Sequence, residues 1–279
     1  MNKLFIIFLL LFFSCTDLLT NKSEYNSINL QGNGWVQINQ GMNFNTNNFT
    51  LQTWVSGSDT TINNSQTILS ILNSSGEILI GIFKDPTYKK RLDIWVDNQN
   101  INTIEVSENL SNLDSFNLVT LVGSISESNP SFISISIFIN KTKIFNQSTT
   151  LTTDDLANID FVIGGKVNTE QTYRDSFWHG CIDEIRLWNI ALVDTIINYH
   201  NEYPTKLSFE SDSPTYDSYL GQLIGLWRMY TTEETYSTIP NEACATIEKL
   251  YNDNPCSTNS EAIIYTVGDN TIKFSEKHK

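Results

Sequence analysis

Short runs in which apolar and polar residues alternate recur along this chain, and they constrain its fold more than any other feature. The clearest run is FISISIFI at residues 132–139, where isoleucine takes every second position and serines stand between the first three. A period of two with β-branched residues predicts a strand that has one face in a core. The NKTK that follows predicts a turn into a second strand, IFNQS, and hence a hairpin.

Comparable runs occupy most of the chain, and one segment alone has helical spacing. Strand-like runs begin at Phe49, Gln66, Glu77, Arg91, Phe116, Asp160, Cys181, Leu223 and Ala262. In VDTIINYHNEY, Val193, Ile196, Ile197 and His200 fall on one face of a predicted short helix. Many strands joined by polar turns, with little helix, predict an antiparallel β-sandwich or a barrel.

The first residues of the chain predict export and a lipid anchor. The apolar run LFIIFLLLFF is ten residues long, too short to cross a bilayer, which takes roughly 20. The Ser-Cys after it resembles a bacterial lipoprotein box, which predicts a signal peptide over residues 1–14, acylation of Cys15 and a polar tether over residues 15–27. An ordinary signal peptide with an incidental cysteine is the alternative. We interpret residues 28–230 as one sandwich and residues 231–279 as a C-terminal extension, either its continuation or an appended subdomain.

The net charge of the chain argues against two classes of partner. Seventeen basic residues stand against 31 acidic ones, and the net charge is −14. Nucleic acids and anionic membrane surfaces both require a basic patch, so we expect neither as a direct partner. The charge is compatible with divalent cations and with neutral sugars. We expect a glycan or a cell-surface protein as partner, with the lipid anchor holding the protein to the cell envelope, at the outer membrane.

Several segments, taken in order, resemble the concanavalin A-like jelly roll of the laminin-G-like, pentraxin-related family. They are INLQGNGWVQI, FTLQTWV, FNLVTLVG with the hairpin after it, IDFVIGG, FWHGCIDEIRLWNIAL and LIGLWRMY. The resemblance covers roughly residues 28–230 and implies an antiparallel β-sandwich with jelly-roll topology. It also implies that the stretch GCIDEIRLWNIAL is a structural signature of the fold, and that Trp54 and Trp188 serve packing.

Strict alternation along GCIDEIRLW divides its side chains between two faces. One face receives Ile182, Glu184, Arg186 and Trp188, and the other receives Asp183, Ile185 and Leu187. Glu184 and Arg186 then form a predicted surface ion pair that contributes about 0–1 kcal/mol. Because Asp183 and Glu184 point to opposite faces, they cannot act together on one glycosidic bond, which requires two carboxylates about 5–9.5 Å apart.

Other catalytic and metal-binding patterns are missing from the sequence. The resemblance implies that glucan-cleaving relatives carry a Glu-x-Asp-x-x-Glu run, which does not occur here. There is no Gly-x-Ser-x-Gly motif, and His179, His200 and His278 do not have zinc-ligand spacing. We therefore predict no catalytic residues and no required cofactor. Calcium bound through dispersed loop carboxylates would leave no signature in the spacing.

The cysteines after Cys15 predict one disulfide. Cys244 and Cys256 are separated by eleven residues, and joining them would stabilise the fold by about 3 kcal/mol. Cys181 shares a predicted face with Ile185 and Leu187, which favours a buried free thiol. Pairing of Cys181 with another cysteine is the alternative.

One strand combines an aromatic ring with acidic side chains. Alternation along RLDIWVDN sends Asp93, Trp95 and Asp97 to one face, away from its apolar residues. This combination is typical of a sugar-binding platform, although packing of Trp95 beneath a loop or the C-terminal segment would explain it too. The sequence therefore favours a non-catalytic module for carbohydrate or protein recognition. A structural or adhesion lipoprotein without a small ligand and a divergent glycoside hydrolase are the alternatives.

Overall fold

The computed structural model describes most of the chain after the predicted tether. The described residues are 27–30, 32, 34–38, 45–57, 65–88, 90–107, 110, 115–165, 177–204, 206–207, 219, 221–229, 238–239, 241–243 and, for the backbone alone, 262–266 and 273–274. The predicted signal peptide, Cys15, Cys244 and Cys256 lie outside these residues and stay predictions.

The protein is an antiparallel β-sandwich of two sheets, as the sequence predicts. Sheet A contains, in spatial order, β10 (Thr142–Ser148), β9 (Ile133–Ile139), β8 (Asn117–Ile125), β3 (Asn48–Gly57), β12 (Gly180–Trp188), β1 (Ile28–Asn29) and β16 (Lys273–Phe274), and β13 (Leu223–Trp227) pairs with β12. Sheet B contains β14 (Thr238–Ile239), β15 (Ala262–Thr266), β2 (Gly34–Ile38), β11 (Asp160–Ile163), β4 (Gln66–Leu72), β5 (Ile78–Lys84), β6 (Arg91–Val96) and β7 (Gln99–Glu105). The strands β14, β15 and β16 belong to the predicted C-terminal extension, and their pairing continues both sheets of the sandwich.

The main hydrophobic core lies between the two sheets. The isoleucines at alternate positions of β9 are all fully buried in it, and β8 adds Val119 and Leu121 beside them. The serines of β9 point away from the core and are half-buried. Burying one apolar face of each sheet is what stabilises a sandwich of this kind. The alternation in the sequence is thus confirmed on this strand.

A short helix closes the outer face of sheet A. The helix α1 (Asp194–Glu202) packs Ile196 and Ile197 against Trp188 of β12 in a second hydrophobic cluster. Val193 lies just before the first turn and is exposed. Among the described residues, no helix is long and apolar enough to cross a membrane.

A β-bulge in β12 interrupts the predicted alternation. The pairing of β12 with β3 skips Glu184, whose φ is +23°. A bulge adds one residue to a strand and changes which side chains share a face. Ile182 therefore joins Ile185 and Leu187 in the core, and the prediction that it lies on the opposite face is wrong.

The Glu184–Arg186 ion pair is buried, so its prediction as a surface pair is also wrong. Both side chains are fully enclosed, and the second carboxylate oxygen of Glu184 accepts from Arg228 at 3.2 Å. The Arg186 guanidinium lies 4.5 Å from the centre of the Trp54 ring. Trp54 and Trp188 are buried, as expected for packing residues. The side chains of the signature stretch that point to the outer side of sheet A are therefore buried as well.

Cys181 forms a disulfide bond, and the prediction that it is a free thiol is wrong. Its side chain is fully buried, but it immediately precedes the core residue Ile182 and so points to the outer side of sheet A. The bulge explains the error, because unbroken alternation had placed Cys181 with the core residues. The other three cysteines of the chain lie outside the described residues.

Candidate functional site

The outer face of sheet B carries the residues that the sequence singled out. Directly paired residues form a row across this face, and the row consists of Gln37, Val162, Ser70, Gly81, Trp95 and Asn100. In a neighbouring row Phe83 pairs with Asp93, and Asp93 pairs with Thr103. Trp95 and Asp93 therefore point to the same side, as predicted.

The centre of this face is closed. Leu72, Ile78, Phe83 and Val162 form a small buried cluster there, flanked by partly buried Trp35 and Trp95. Four apolar side chains at 0–4% exposure leave no apolar surface for a ligand at the middle of the sheet. A ligand can therefore reach this face only toward its margins.

Trp95 lies at the margin of the cluster and is half-buried. Its ring meets Phe83 edge-on, with ring centroids 5.5 Å apart and an interplanar angle of 61°. The Phe83 ring lies over Gly81, where a β-carbon would come within 2.4 Å of it. This glycine lets Phe83 lie flat on the sheet and support one edge of the indole. Trp95 thus combines the two roles that the sequence left open, packing and an accessible ring surface.

The hairpin beyond Trp95 ends in a tight turn. Asp97 and Asn98 have φ values of 50° and 58°, which suits a two-residue hairpin turn. The Asn98 side chain accepts a hydrogen bond from the backbone N–H of Ile78 at 2.9 Å, so the turn is fastened to β5. Asp97 is exposed in this turn rather than on the strand. The structure therefore brings Asp93 and Trp95 together and leaves Asp97 at the tip of the hairpin.

Hydrogen bonds connect the polar side chains next to Trp95. Thr103 donates its hydroxyl to Asp93 Oδ1 at 2.7 Å, and the Asn100 amide donates to Thr103 Oγ1 at 3.5 Å. A carboxylate has about four acceptor positions, so Asp93 keeps the capacity to accept from a ligand. We call Asp93, Trp95, Asn100 and Thr103 the β6–β7 face. Sequence reasoning missed Asn100 and Thr103 because they become neighbours of Trp95 only through strand pairing.

One more aromatic residue lies at the start of β6. Arg91, two positions before Asp93, lies 3.6 Å from an Asp85 carboxylate oxygen and 5.1 Å from the centre of the Tyr88 ring. Tyr88 is exposed at 54%. Since a strand rises about 3.3 Å per residue, Arg91 and Trp95 lie about 13 Å apart along β6. The accessible margin of sheet B is therefore long enough for more than one sugar ring.

A second aromatic pair lies on the opposite side of the closed centre. Trp35 stacks on Phe177 with centroids 5.5 Å apart and an interplanar angle of 6°. Nearby, Gln37 donates its amide to Asp160 Oδ2 at 3.0 Å. Here too an aromatic ring lies near a hydrogen-bonded carboxylate, so Trp35 and Asp160 provide matched controls for Trp95 and Asp93.

Among the described residues, no three His, Cys, Asp or Glu side chains cluster as ligands for a metal ion.

Three solved structures illustrate what the fold is similar to. A heptameric SAP-like pentraxin from Limulus polyphemus is 12% identical over 64% of this chain and 82% of its own, with a TM-score of 0.49. A putative carbohydrate binding protein from Bacteroides ovatus is 14% identical over 89% of this chain and 61% of its own, with a TM-score of 0.53. A Trypanosoma rangeli sialidase is 16% identical over 63% of this chain, with a TM-score of 0.48, and the match spans 27% of its length. At 14% identity, the similarity to the Bacteroides ovatus protein shows the fold alone.

The sequence itself also identifies a family. No protein of curated function matches the chain. Residues 30–198, more than half of the chain, match the sequence model of a laminin-G-type family described as the concanavalin A-like lectin/glucanases superfamily. The two antiparallel sheets of the structure agree with that family's jelly roll. The chain belongs to the concanavalin A-like lectin/glucanases superfamily.

Proposed function

We propose that the protein is a non-catalytic module that binds a neutral glycan through the β6–β7 face. The observation that carries the proposal is the half-buried indole of Trp95 beside hydrogen-bonded Asp93, Thr103 and Asn100. A sugar ring presents an apolar face to an aromatic ring and hydroxyls to polar groups at its edge. An apolar surface with a few convergent polar groups is the usual composition of a ligand site.

The order within the polar group supports this role. The Thr103 hydroxyl donates a hydrogen bond to Asp93, which fixes the carboxylate, and the Asn100 amide donates to Thr103 Oγ1, which fixes the hydroxyl. Side chains held by one another before the ligand arrives lose less entropy when it binds. Phe83 holds the Trp95 ring in the same way. The β6–β7 face is thus partly ordered in advance.

Charge favours a neutral glycan over an acidic one at this face. Between Arg91 and Glu105 the hairpin carries three carboxylates, those of Asp93, Asp97 and Glu105, and one guanidinium. This excess of negative charge repels uronic and sialic acids. Neutral hydroxyls, by contrast, donate well to carboxylates. The fold similarity to a putative carbohydrate binding protein of Bacteroides ovatus supports binding in general terms.

Attachment to the cell envelope completes the proposal. Export and acylation of Cys15 would hold the sandwich at the outer membrane and leave the β6–β7 face free to meet glycans there. The superfamily takes its name from both lectins and glucanases, and we propose binding without hydrolysis. A structural or adhesion role without a small ligand is the second candidate, favoured by the packing of Trp95 on Phe83.

A glycan array followed by calorimetry tests the proposal. The protein should retain one or more neutral glycans. Asp93→Asn replaces a charged acceptor with a neutral one, and Thr103→Val removes the hydroxyl that fixes this acceptor, so each should weaken binding of the best glycan by about tenfold. Asp160→Asn, which alters the Gln37–Asp160 pair beyond the closed centre of the same face, should bind the glycan as the wild type does. Equal losses in all three variants, or no glycan retained at all, would refute the proposal in favour of the second candidate.

A further inference from the structure

A buried lysine lies at one end of the sandwich, on the inner side of sheet B. Lys84, the last residue of β5, pairs with Gln66 of β4 and with Leu92 of β6. Its neighbour Phe83 belongs to the outer cluster and Leu92 to the core. Lys84 and Gln66 therefore both point inward, toward the space between the sheets.

The ammonium group of Lys84 has no anionic partner in the described part of the chain. Lys84 is 5% exposed and Gln66 is 2% exposed. None of the ion pairs formed by described residues includes Lys84. A lysine is almost never buried without a partner, because removal of an ammonium from water is costly. Burial accordingly lowers the pKa of Lys84.

Solvent can still reach the polar ends of this pair. Four side-chain atoms of the described residues are fully enclosed without a hydrogen-bond partner, and neither Lys84 Nζ nor Gln66 Nε2 is among them. No hydrogen bond joins either nitrogen to another described residue, so each of them keeps some contact with solvent. The stem of the lysine is covered while its charged end stays accessible, as is usual for long basic side chains.

His179 completes the group from the other sheet. It directly precedes β12 and donates its backbone N–H to Gln66 Oε1 at 3.1 Å. Its ring lies against Gly32, where a β-carbon would fall within 1.9 Å of Nε2. Burial, followed by the positive charge of Lys84, lowers the pKa of His179. Gln66 Oε1 therefore accepts from His179, while the two protons on Gln66 Nε2 remain available to donate. The group consists mainly of hydrogen-bond donors.

We infer that Lys84, Gln66 and His179 form a binding site for a carboxylate at the end of the sandwich. Lys84 supplies the positive charge, Gln66 supplies two amide protons, and His179 holds the Gln66 amide in place. A single ammonium beside a neutral imidazole matches one negative charge, which favours a carboxylate over a doubly charged phosphate. A free organic acid and an acidic sugar unit both present this group.

This inference does not depend on the β6–β7 face. The two groups lie on opposite sides of sheet B, and one selects neutral hydroxyls while the other selects a negative charge. Binding of a carboxylate can therefore succeed or fail whatever the outcome for neutral glycans.

Titration of the purified full-length chain with acetate and with D-glucuronate tests the inference. Thermal unfolding and calorimetry should show that at least one of the two carboxylates stabilises and binds the protein, at matched ionic strength. Glucuronamide, the uncharged counterpart, should have no effect. Preference for glucuronate would identify an acidic sugar as the source, and equal response to acetate would identify any small organic acid. Sulfate that binds as well as either carboxylate would overturn the assignment.

Variants locate the site. Lys84→Met should weaken carboxylate binding by at least about tenfold, the effect of losing a hydrogen bond to a charged group, and should raise the melting temperature because a desolvated charge is gone. Lys143→Met, which removes an exposed lysine paired with Asp194, is the matched control and should bind normally. A drop in melting temperature for Lys84→Met, together with no carboxylate response in the wild type, would show that the ammonium is paired within the chain and would overturn the inference.

A second measurement does not depend on the folding of Lys84→Met. In wild-type protein with ¹³C-labelled lysine, the Lys84 side-chain resonance should shift on addition of the carboxylate. Lys84→Arg removes that resonance and so assigns it, while keeping the charge. A titration that shifts other lysines and leaves Lys84 unchanged would contradict the site.

Discussion

Replacement of Glu184 by glutamine tests how the signature stretch of β12 stabilises the fold. Glu184 and Arg186 are both fully enclosed. The Arg186 guanidinium also donates to the backbone carbonyls of Pro204 and Lys206. Glu184→Gln removes the negative charge while the guanidinium remains out of water. Breaking a buried ion pair in this way costs about 3–5 kcal/mol, whereas an exposed pair contributes about 0–1 kcal/mol.

Urea unfolding followed by tryptophan fluorescence gives the free energy directly. Glu202→Gln is the matched control, because its pair with Lys141 is about half exposed on both sides, and it should change the free energy of unfolding by less than about 1 kcal/mol. Glu184→Gln should lower it by about 3 kcal/mol or more. A loss below about 1 kcal/mol for Glu184→Gln would refute the view that this pair is a buried element of the interior.

Three further predictions concern pH, the disulfide and the anchor. Burial, followed by the charge of Arg186, lowers the pKa of His200 well below its ordinary value, so the ring is neutral in the folded protein. The melting temperature of the wild type should therefore fall as the pH drops below about 6.5. In His200→Gln it should fall less steeply. Non-reducing peptide mapping should recover Cys181 in a cross-linked peptide with one of the two C-terminal cysteines, and recovery of Cys181 as a free thiol would contradict the structure. Cys15→Ala should release the protein from membranes into the soluble fraction, and unchanged membrane partition would disprove acylation at this residue.

The disulfide of Cys181 also affects two predictions made from the sequence, the pairing of Cys244 with Cys256 and the acylation of Cys15. The chain has four cysteines, and Cys181 is already bonded. If Cys15 carries a lipid, the partner of Cys181 within the chain is Cys244 or Cys256. The predicted pairing of Cys244 with Cys256 and the predicted acylation of Cys15 therefore exclude each other in a single chain. The same peptide map decides between them.

Alternation predicted the interior strands well and failed where the backbone departs from regularity. The isoleucines of β9 lie in the core as expected, because each strand there has one buried and one outer face. At Glu184 an extra residue changes the phase, and no residue type in GCIDEIRLW marks a bulge. The faces assigned to Ile182 and Cys181 were wrong for that reason, and with them the expectation of a free thiol.

The edge strand β7 was not predicted at all. Its sequence, QNINTIE, has little apolar alternation, and six of its seven residues are exposed. Only pairing with β6 makes it a strand, and pairing partners cannot be derived from the local pattern. The candidate site was therefore half predictable: Asp93 and Trp95 follow from alternation, while Asn100 and Thr103 follow from strand pairing. The burial of Lys84 likewise depends on the neighbouring strands rather than on its own sequence.

The central claim is that the β6–β7 face binds a glycan through Trp95, and one pair of variants tests it most directly. Trp95 and Trp35 are both half-buried tryptophans that flank the same cluster on sheet B, on strands β6 and β2, about 19 Å apart at about 4.8 Å per strand. Calorimetric titration with the best neutral glycan should show that Trp95→Ala weakens binding by at least about tenfold, the loss expected when a ring stacked on a ligand is removed. Trp35→Ala should bind as tightly as the wild type although its packing loss is similar. Unchanged affinity in Trp95→Ala, or an equal loss in Trp35→Ala, would contradict the claim.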